Sequence, residues 1–244
     1  MPRLIVTSDW HSDWVTDGYP RHRDVCEAVA LVVERVEPGD HFLFLGDLSN
    51  PYSSGVHRAV ELSVRVAAEL NCREVMNTWL TGNHDVVEDA SGSHTLLALK
   101  ALDTSWLPAG GFTRVADEPR ALPFEDWLLL TLPFTAPTRA YDPVEQVERY
   151  AEQYAATEVP VVIAGHLNIE GIAAGSETSD MARGRDVMFP LERVLQLFPR
   201  AILLNGHYHE QQVFRGIRIP GSLLRLTHSE EEHEKGFLIL ELGP

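Results

Sequence analysis

An α/β layered domain is predicted by three observations. Short apolar runs of strand length alternate with stretches whose apolar residues recur near every 3.6 positions, throughout the 244 residues. Several short runs are apolar at successive positions, as strands covered on both faces are. The composition, 44% hydrophobic and 23% charged, is that of a globular chain able to bury a core.

The elements follow in order. Leu4–Thr7 reads as the first strand, and Asp24–Val36 as the first amphipathic helix. His41–Leu45 (HFLFL) is a second strand, followed by a helix over Val56–Leu70 and a strand over Val75–Leu80. The apolar spacing in Ser93–Leu102 predicts another helix, and Trp127–Leu132 another strand. Pro143–Ala156 is helical in pattern, Val161–Ala164 is a strand, and Pro190–Phe198 is a helix opening on a proline, where one is tolerated. Ala201–Leu204 and Phe237–Leu242 complete the strands. The polar, glycine-bearing stretch Ile169–Met188 reads as a long loop. Gln211–Gly236 reads as short strands with turns, ending in a solvated charged loop around SEEEHEK.

Charge and cysteine content narrow the function. Lys and Arg number 20 against 36 Asp and Glu, a net charge of −16, which excludes a polyanion binder held by a basic surface. Cys26 and Cys72 form no CxxC pair, which argues against a disulfide framework and a thiolate metal site and for a reducing compartment. No apolar run reaches the length of a membrane span and the N-terminus lacks a signal-peptide profile. A soluble, cytoplasmic protein with no membrane partner is expected.

The chemistry lies at strand ends. Asp9 and His11 follow LIVTS, Asp47 and Asn50 follow FLFLG, and Asn83, His84 and Asp85 follow WLTG. His166 follows VVIAG, and His207 and His209 follow AILLNG. Strand C-terminal ends are where α/β sheets place their sites. In an extended segment positions i and i+2 project to one side, so Asp9 with His11, and His207 with His209, are expected to chelate in pairs. Glycine before Asp47, Asn83, His166 and His207 permits sharp turns and close backbone approach. Carboxylate, amide and imidazole ligands without thiolate favour a divalent ion such as Mn, Fe or Zn. Asp9, His11, Asp47, Asn83, His166, His207 and His209 are too many ligands for one ion and fit two if a carboxylate bridges. His22, His41, His57, His94, His228 and His233 read as surface or packing residues.

The ordered motifs DxH, GDxxN, GNHD, GH and GHxH, spanning Asp9 to His209, resemble those of the calcineurin-like metallophosphoesterases. The resemblance implies a four-layer sandwich, two mixed β-sheets flanked by helices, as one domain over residues 1–244 without a capping domain. It implies two divalent ions, with Mn expected and Fe, Zn or Ni as alternatives. Asp9, His11, Asp47 and His209 would hold one and Asp47, Asn83, His166 and His207 the other, with Asp47 bridging. It further implies attack by hydroxide held between the ions, with His84 as general acid. Many members carry Asp where this chain has Asn50, whose carbonyl can support an imidazole but brings no charge.

After GHxH, the tail IPGSLLRLTHSEEEHEKGF resembles the GS…E…KGF segment of SbcD-type DNA repair nucleases, and GHLNIEGIAAGSE and SDWH fit the same branch. That implies a nuclease acting on DNA phosphodiesters, with an SbcC-like ATPase as a partner. The alternative is a small-molecule phosphodiesterase or phosphatase acting on nucleotides, which the acidic balance suits. A scaffold that keeps the fold without catalysis is the third reading, opposed by the burial cost of clustered carboxylates. Trp10, Trp14 and Tyr208 are the aromatic residues available to stack on a base.

Overall fold

Leu4 to Val6, Phe42 to Leu45 and Val162 to Ala164 are apolar at every position, so they need cover on both sides. In a computed structural model, which describes residues 3–87, 91–103, 112–172 and 187–243, they lie inside two mixed sheets. The first sheet contains, in spatial order, β13 (Leu238–Glu241), β1 (Arg3–Thr7), β4 (His41–Phe44), β5 (Met76–Leu80) and β6 (Thr113–Ala116). All its neighbours are parallel except β13, which runs antiparallel to β1. The second contains β11 (Gln212–Phe214), β12 (Ile217–Ile219), β10 (Ile202–Asn205), β9 (Val161–Gly165), β8 (Leu128–Leu132) and β7 (Ala121–Pro123). Its two outermost pairings are antiparallel and the inner ones parallel. A short hairpin of β2 (Val15–Thr16) and β3 (Tyr19–Pro20) stands apart.

Alternation along each strand explains the continuous apolar runs. Ile5, Phe42, Phe44 and Trp79 face outward and pack under α1 (His22–Glu34) and α2 (Val56–Cys72), against Val25, Val29, Val32, Leu62, Val66 and Leu70. On the second sheet Leu128, Leu130, Ile163 and Leu203 pack under α3 (Pro143–Tyr154) and α4 (Leu191–Leu197), against Val147, Tyr150 and Val194. The alternate positions form the seam between the sheets, where Leu4, Val6, Leu43, Leu45 and Leu80 meet Leu129, Val162, Ala164 and Leu204. Helices, sheet, sheet and helices are the four layers expected.

The structure departs from the sequence expectations in particulars. Ser93–Leu102 does not form an α-helix; Thr95–Ala101 winds as a 3₁₀ helix. The short strands β6 and β7 lie at sheet edges in segments with little apolar pattern. The acidic run is not solvated throughout, because Glu230 is fully buried. Most of the loop expected over Ile169–Met188 falls on residues 173–186, outside the described residues. No helix among the described residues is long and apolar enough to cross a membrane.

Beyond β6, buried Asp117 ties three segments together. It accepts from Lys100 Nζ at 2.6 Å and Arg139 Nη1 at 2.8 Å, with His94 Nε2 3.3 Å away. Burial pushes this carboxyl up, but His94 and Lys100 outweigh it and hold it below the usual carboxylate range. A depressed folded value contributes stability that is present above the unfolded value, near 3.9, and is lost as pH falls through the folded one. Asp117→Asn is therefore expected to lower the melting temperature at pH 7 and to narrow the gap from wild type below about pH 4. A pH-independent gap in thermal melts would contradict this.

Candidate metal centre

The strand ends place all seven expected ligands at one end of the inter-sheet seam. Asp9 and His11 follow β1, Asp47 follows β4 and Asn83 follows β5, so four come from the first sheet. His166 follows β9, and His207 and His209 follow β10, from the second. The two chain segments after β1 and β4 run side by side, with Asp9 N–H donating to Gly46 O at 2.9 Å and His11 N–H to Asp47 O at 3.1 Å.

The backbone there is unlike the extended geometry that the i, i+2 argument assumes. Asp9, His11, Asp47 and His207 have φ of 53°, 40°, 62° and 79°, the left-handed region, each at a cost on the order of 1 kcal/mol. The consequence differs between the two predicted pairs. Asp9 and His11 do converge, but His207 and His209 separate. His209 joins Asp9 and His11, while His207 joins Asp47 and His166, and the ligand atoms within each buried triad lie within 4.8 Å of one another. That correction to the geometric expectation agrees with the division that the resemblance implied. Glycine serves close approach at Gly82, where an added Cβ would overlap Asp47 Oδ1 and lie 2.7 Å from the His166 ring.

Asp47 stands between the triads. Its Oδ2 is 3.7 Å from His11 Nε2, and its Oδ1 is 3.3 Å from His166 Nε2. The outer hydrogen bonds of three imidazoles decide which ring nitrogen faces inward. His166 Nδ1–H donates to Leu45 O at 2.6 Å, His207 Nε2–H to Asn168 Oδ1 at 2.9 Å, and His209 Nδ1–H to Glu230 Oε1 at 3.2 Å. With those tautomers, His166 Nε2 and His207 Nδ1 turn lone pairs toward Asn83 Oδ1, itself an acceptor, at 3.0 and 2.9 Å. His209 Nε2 likewise faces His11 Nε2 at 3.0 Å. Buried Asp9 Oδ1 has no hydrogen-bond partner.

Acceptors aimed at acceptors repel unless a cation lies among them, so this donor set fits two divalent ions. A proton on the His166 imidazole is the alternative way to relieve this repulsion, and the titration behaviour reflects that competition. Burial lifts the Asp9 carboxyl to about 7, opposed by His166 and reinforced by Asp47. Burial lowers the neighbouring imidazoles, taking His207 down to about 3 with the help of the His166 charge, and His11 well below its ordinary value. His166 goes up instead, to about 9, because Asp47 and Asp9 outweigh its burial. Asp47 stays ionised despite burial because His166 and His84 draw its carboxyl well below the usual range.

His84 lies beside the ligands. Its backbone N–H donates to Asp47 Oδ1 at 2.9 Å, and its ring centroid is 5.0 Å from that of His11. Asn50 is not arranged as expected. Its side-chain oxygen accepts from Tyr52 N–H at 2.9 Å within its own turn, while its backbone N–H faces the Asp13 carboxylate at 3.3 Å. Burial raises the Asp13 carboxyl, and the Ser53 hydroxyl, then backbone amides and last His84, draw it back, so the carboxyl group near His84 is that of Asp13. Of the aromatic candidates, Trp10 and Tyr208 are buried in packing, and Trp14 stands 5.7 Å from the His11 ring.

Three supporting residues are given no role by the sequence reading. Buried Asp85 accepts from Asp47 N–H and Gly82 N–H at 2.8 Å, from Leu48 N–H at 2.9 Å and from Thr95 Oγ1. Its place at the end of GNHD was the available signal. Asn168, two residues after His166, carried none, and for Glu230 the signal was the E of the GS…E…KGF resemblance, which does not tell one glutamate of the acidic run from another.

Known proteins share the fold that carries this site. Among solved structures, a dimetal phosphatase from Danio rerio superposes with TM-score 0.52 at 14% identity, covering 97% of this chain and 91% of its own. A purple acid phosphatase from yellow lupin seeds gives TM-score 0.51 at 13% identity, covering 88% of this chain and 39% of its own. A Staphylococcus aureus protein described as a 5′-nucleotidase candidate gives 0.49 at 12% identity over 91% of this chain, which spans about half, 48%, of that protein. At these identities the likeness is one of fold. The calcineurin-like phosphoesterase pattern matches residues 2–211, and the chain belongs to that family.

Proposed function

We propose that the chain hydrolyses phosphoesters at a two-cation centre held by Asp9, His11, Asp47, Asn83, His166, His207 and His209, with small nucleotide-type phosphoesters as substrates. The observation that carries this reading is the pair of buried triads, with Asp47, a member of one, also facing the other. Divalent ions, Mn first among them, would supply Lewis-acid polarisation of the phosphate and a nucleophile at neutral pH. The protein's own groups do the rest. Leu45 O, Asn168 and Glu230 fix the imidazoles, and Asp85 fixes the loop bearing Asp47. His84, beside the ligands and close to the Asp13 carboxyl, donates a proton to the departing oxygen.

The net charge of −16 favours a small substrate over duplex DNA, whose binding depends on cationic phosphate contacts. A second reading, cleavage of DNA phosphodiesters with an ATPase partner, is supported by the nuclease-like tail, whose Ser222, Glu230 and Lys235 close around His209. The free thiols of Cys26 and Cys72 suit the cytoplasm. The test is a Mn²⁺-supplemented panel of p-nitrophenyl phosphate, bis-p-nitrophenyl phosphate, nucleotides, cyclic nucleotides, and single- and double-stranded DNA. Preference for the small esters is expected. Degradation of DNA with neglect of nucleotides would establish the second reading, and inertness toward the whole panel would defeat both.

His84→Gln is expected to keep its metal while losing on the order of 10²–10⁴ in turnover on nucleotides. The loss should be smaller on p-nitrophenyl phosphate, whose leaving group departs without a proton. Equal losses on both substrates would instead assign His84 to positioning the phosphate.

A further inference from the structure

The C-terminal segment after β12 closes behind one ligand. Ser222 N–H donates to His209 O at 3.2 Å, and Lys235 Nζ donates to His209 O and Ser222 Oγ, both at 2.8 Å. Lys235 Nζ also donates to Glu230 Oε2 at 2.7 Å, where Leu226 N–H arrives at 3.1 Å. The other oxygen, Glu230 Oε1, receives His209 Nδ1–H at 3.2 Å. Glu230 is 0% exposed and the Lys235 side chain 9%. A carboxylate is not buried without compensation, and here a lysine and a backbone amide hold one oxygen while the other takes the His209 imidazole and, at 3.3 Å, the Thr227 hydroxyl.

Two other imidazoles of the centre differ in the kind of acceptor behind them. His166 donates to a backbone carbonyl and His207 to an asparagine oxygen, both neutral. An anionic acceptor draws the Nδ1 proton more strongly and makes the opposite nitrogen a better donor to a cation. We infer that Glu230, held in place by Lys235, is a positioning residue that strengthens His209 as a ligand, so that the Asp9, His11 and His209 position binds its metal more tightly than it otherwise would, independently of the Asp47, His166 and His207 position. The inference rests on the two-cation reading above and adds an asymmetry between the two positions.

The test is equilibrium binding of Mn²⁺ to the intact chain by competition calorimetry, with folding checked by circular dichroism. The wild type should bind two ions with separable dissociation constants. Glu230→Gln keeps the size and an acceptor oxygen but removes the charge, so a purely structural role would survive it. We expect one dissociation constant to rise on the order of 10–100-fold and the other to stay within about two-fold. Because Glu230→Gln leaves the Lys235 charge buried without its partner, the double variant Glu230→Gln/Lys235→Met, which removes both charges, should show the same selective loss. In a His11→Ala background, where the same position is already impaired, Glu230→Gln should leave the remaining constant unchanged. Unaltered constants in both the single and the double variant, or equal weakening of both ions, would overturn the role of Glu230. A folded wild-type chain that binds fewer than two ions would overturn the two-cation reading itself.

Discussion

Asp47→Asn should reduce turnover at least on the order of 10²–10³ and lower the bound metal from two ions per chain toward one, with little change in secondary structure. The two Asp47 oxygens face different triads, at 3.7 Å from His11 Nε2 and 3.3 Å from His166 Nε2. An amide offers one acceptor oxygen and turns an NH₂ toward the other side, so it can serve one ion but not both. The oxygen that remains can still take the His84 backbone N–H, bonded at 2.9 Å in the parent, which keeps the loop in place. Elemental analysis beside steady-state rates checks this. Two tightly held ions with wild-type turnover in the variant would show that Asp47 does not bridge.

Asp85→Ala should act through folding. Its carboxylate is fully buried and collects three backbone N–H groups from two strand-end loops, besides the Thr95 hydroxyl. Truncation strands those N–H groups without water, at roughly 1–3 kcal/mol each. The sum is comparable with the whole stability of an ordinary domain, about 5–15 kcal/mol. The variant should be insoluble or should unfold at a far lower urea concentration than wild type, and should hold metal poorly because the Asp47 turn loses its anchor. A urea midpoint like that of the parent would refute the anchoring role.

The parts of the molecule legible in the sequence are those with a local cause. Consecutive apolar residues announce β1, β4 and β9 because each face of these strands meets its own apolar layer, helices on one side and the seam on the other. The edge strand Thr113–Ala116, half polar in sequence though mostly buried, and the three-residue β7 carry no such apolar run. The ligands could be found because each stands beside a strand end and most beside glycine. Their grouping could not be read from spacing, since the turn at His207, with φ of 79°, is set by contacts with the neighbouring loops. Asn50 illustrates the same limit. Its motif position suggests support of His84, but the nearer bond, to Tyr52 N–H, captures its oxygen. Glu230 is chemically the twin of Glu231 and Glu232 in sequence, and its bonds to Lys235, Leu226 and, 21 positions earlier, His209 set it apart.

The seam between the sheets is apolar throughout its core, and apolar contact is indifferent to small sliding of one layer over the other. Directional bonding lies at one end, where Asp9, His11, Asp47 and Asn83 reach from one sheet and His166, His207 and His209 from the other. Ions bound there would act as a clasp on a closed book. They would fix the relative shear of the two sheets from that end, so distances within the centre would inherit the alignment of the entire interface. Substitutions deep in the seam, such as trimming Leu43 or Leu129, then become adjustments to the centre made by leverage, and metal loading becomes a gauge of how well the two halves of the molecule are joined.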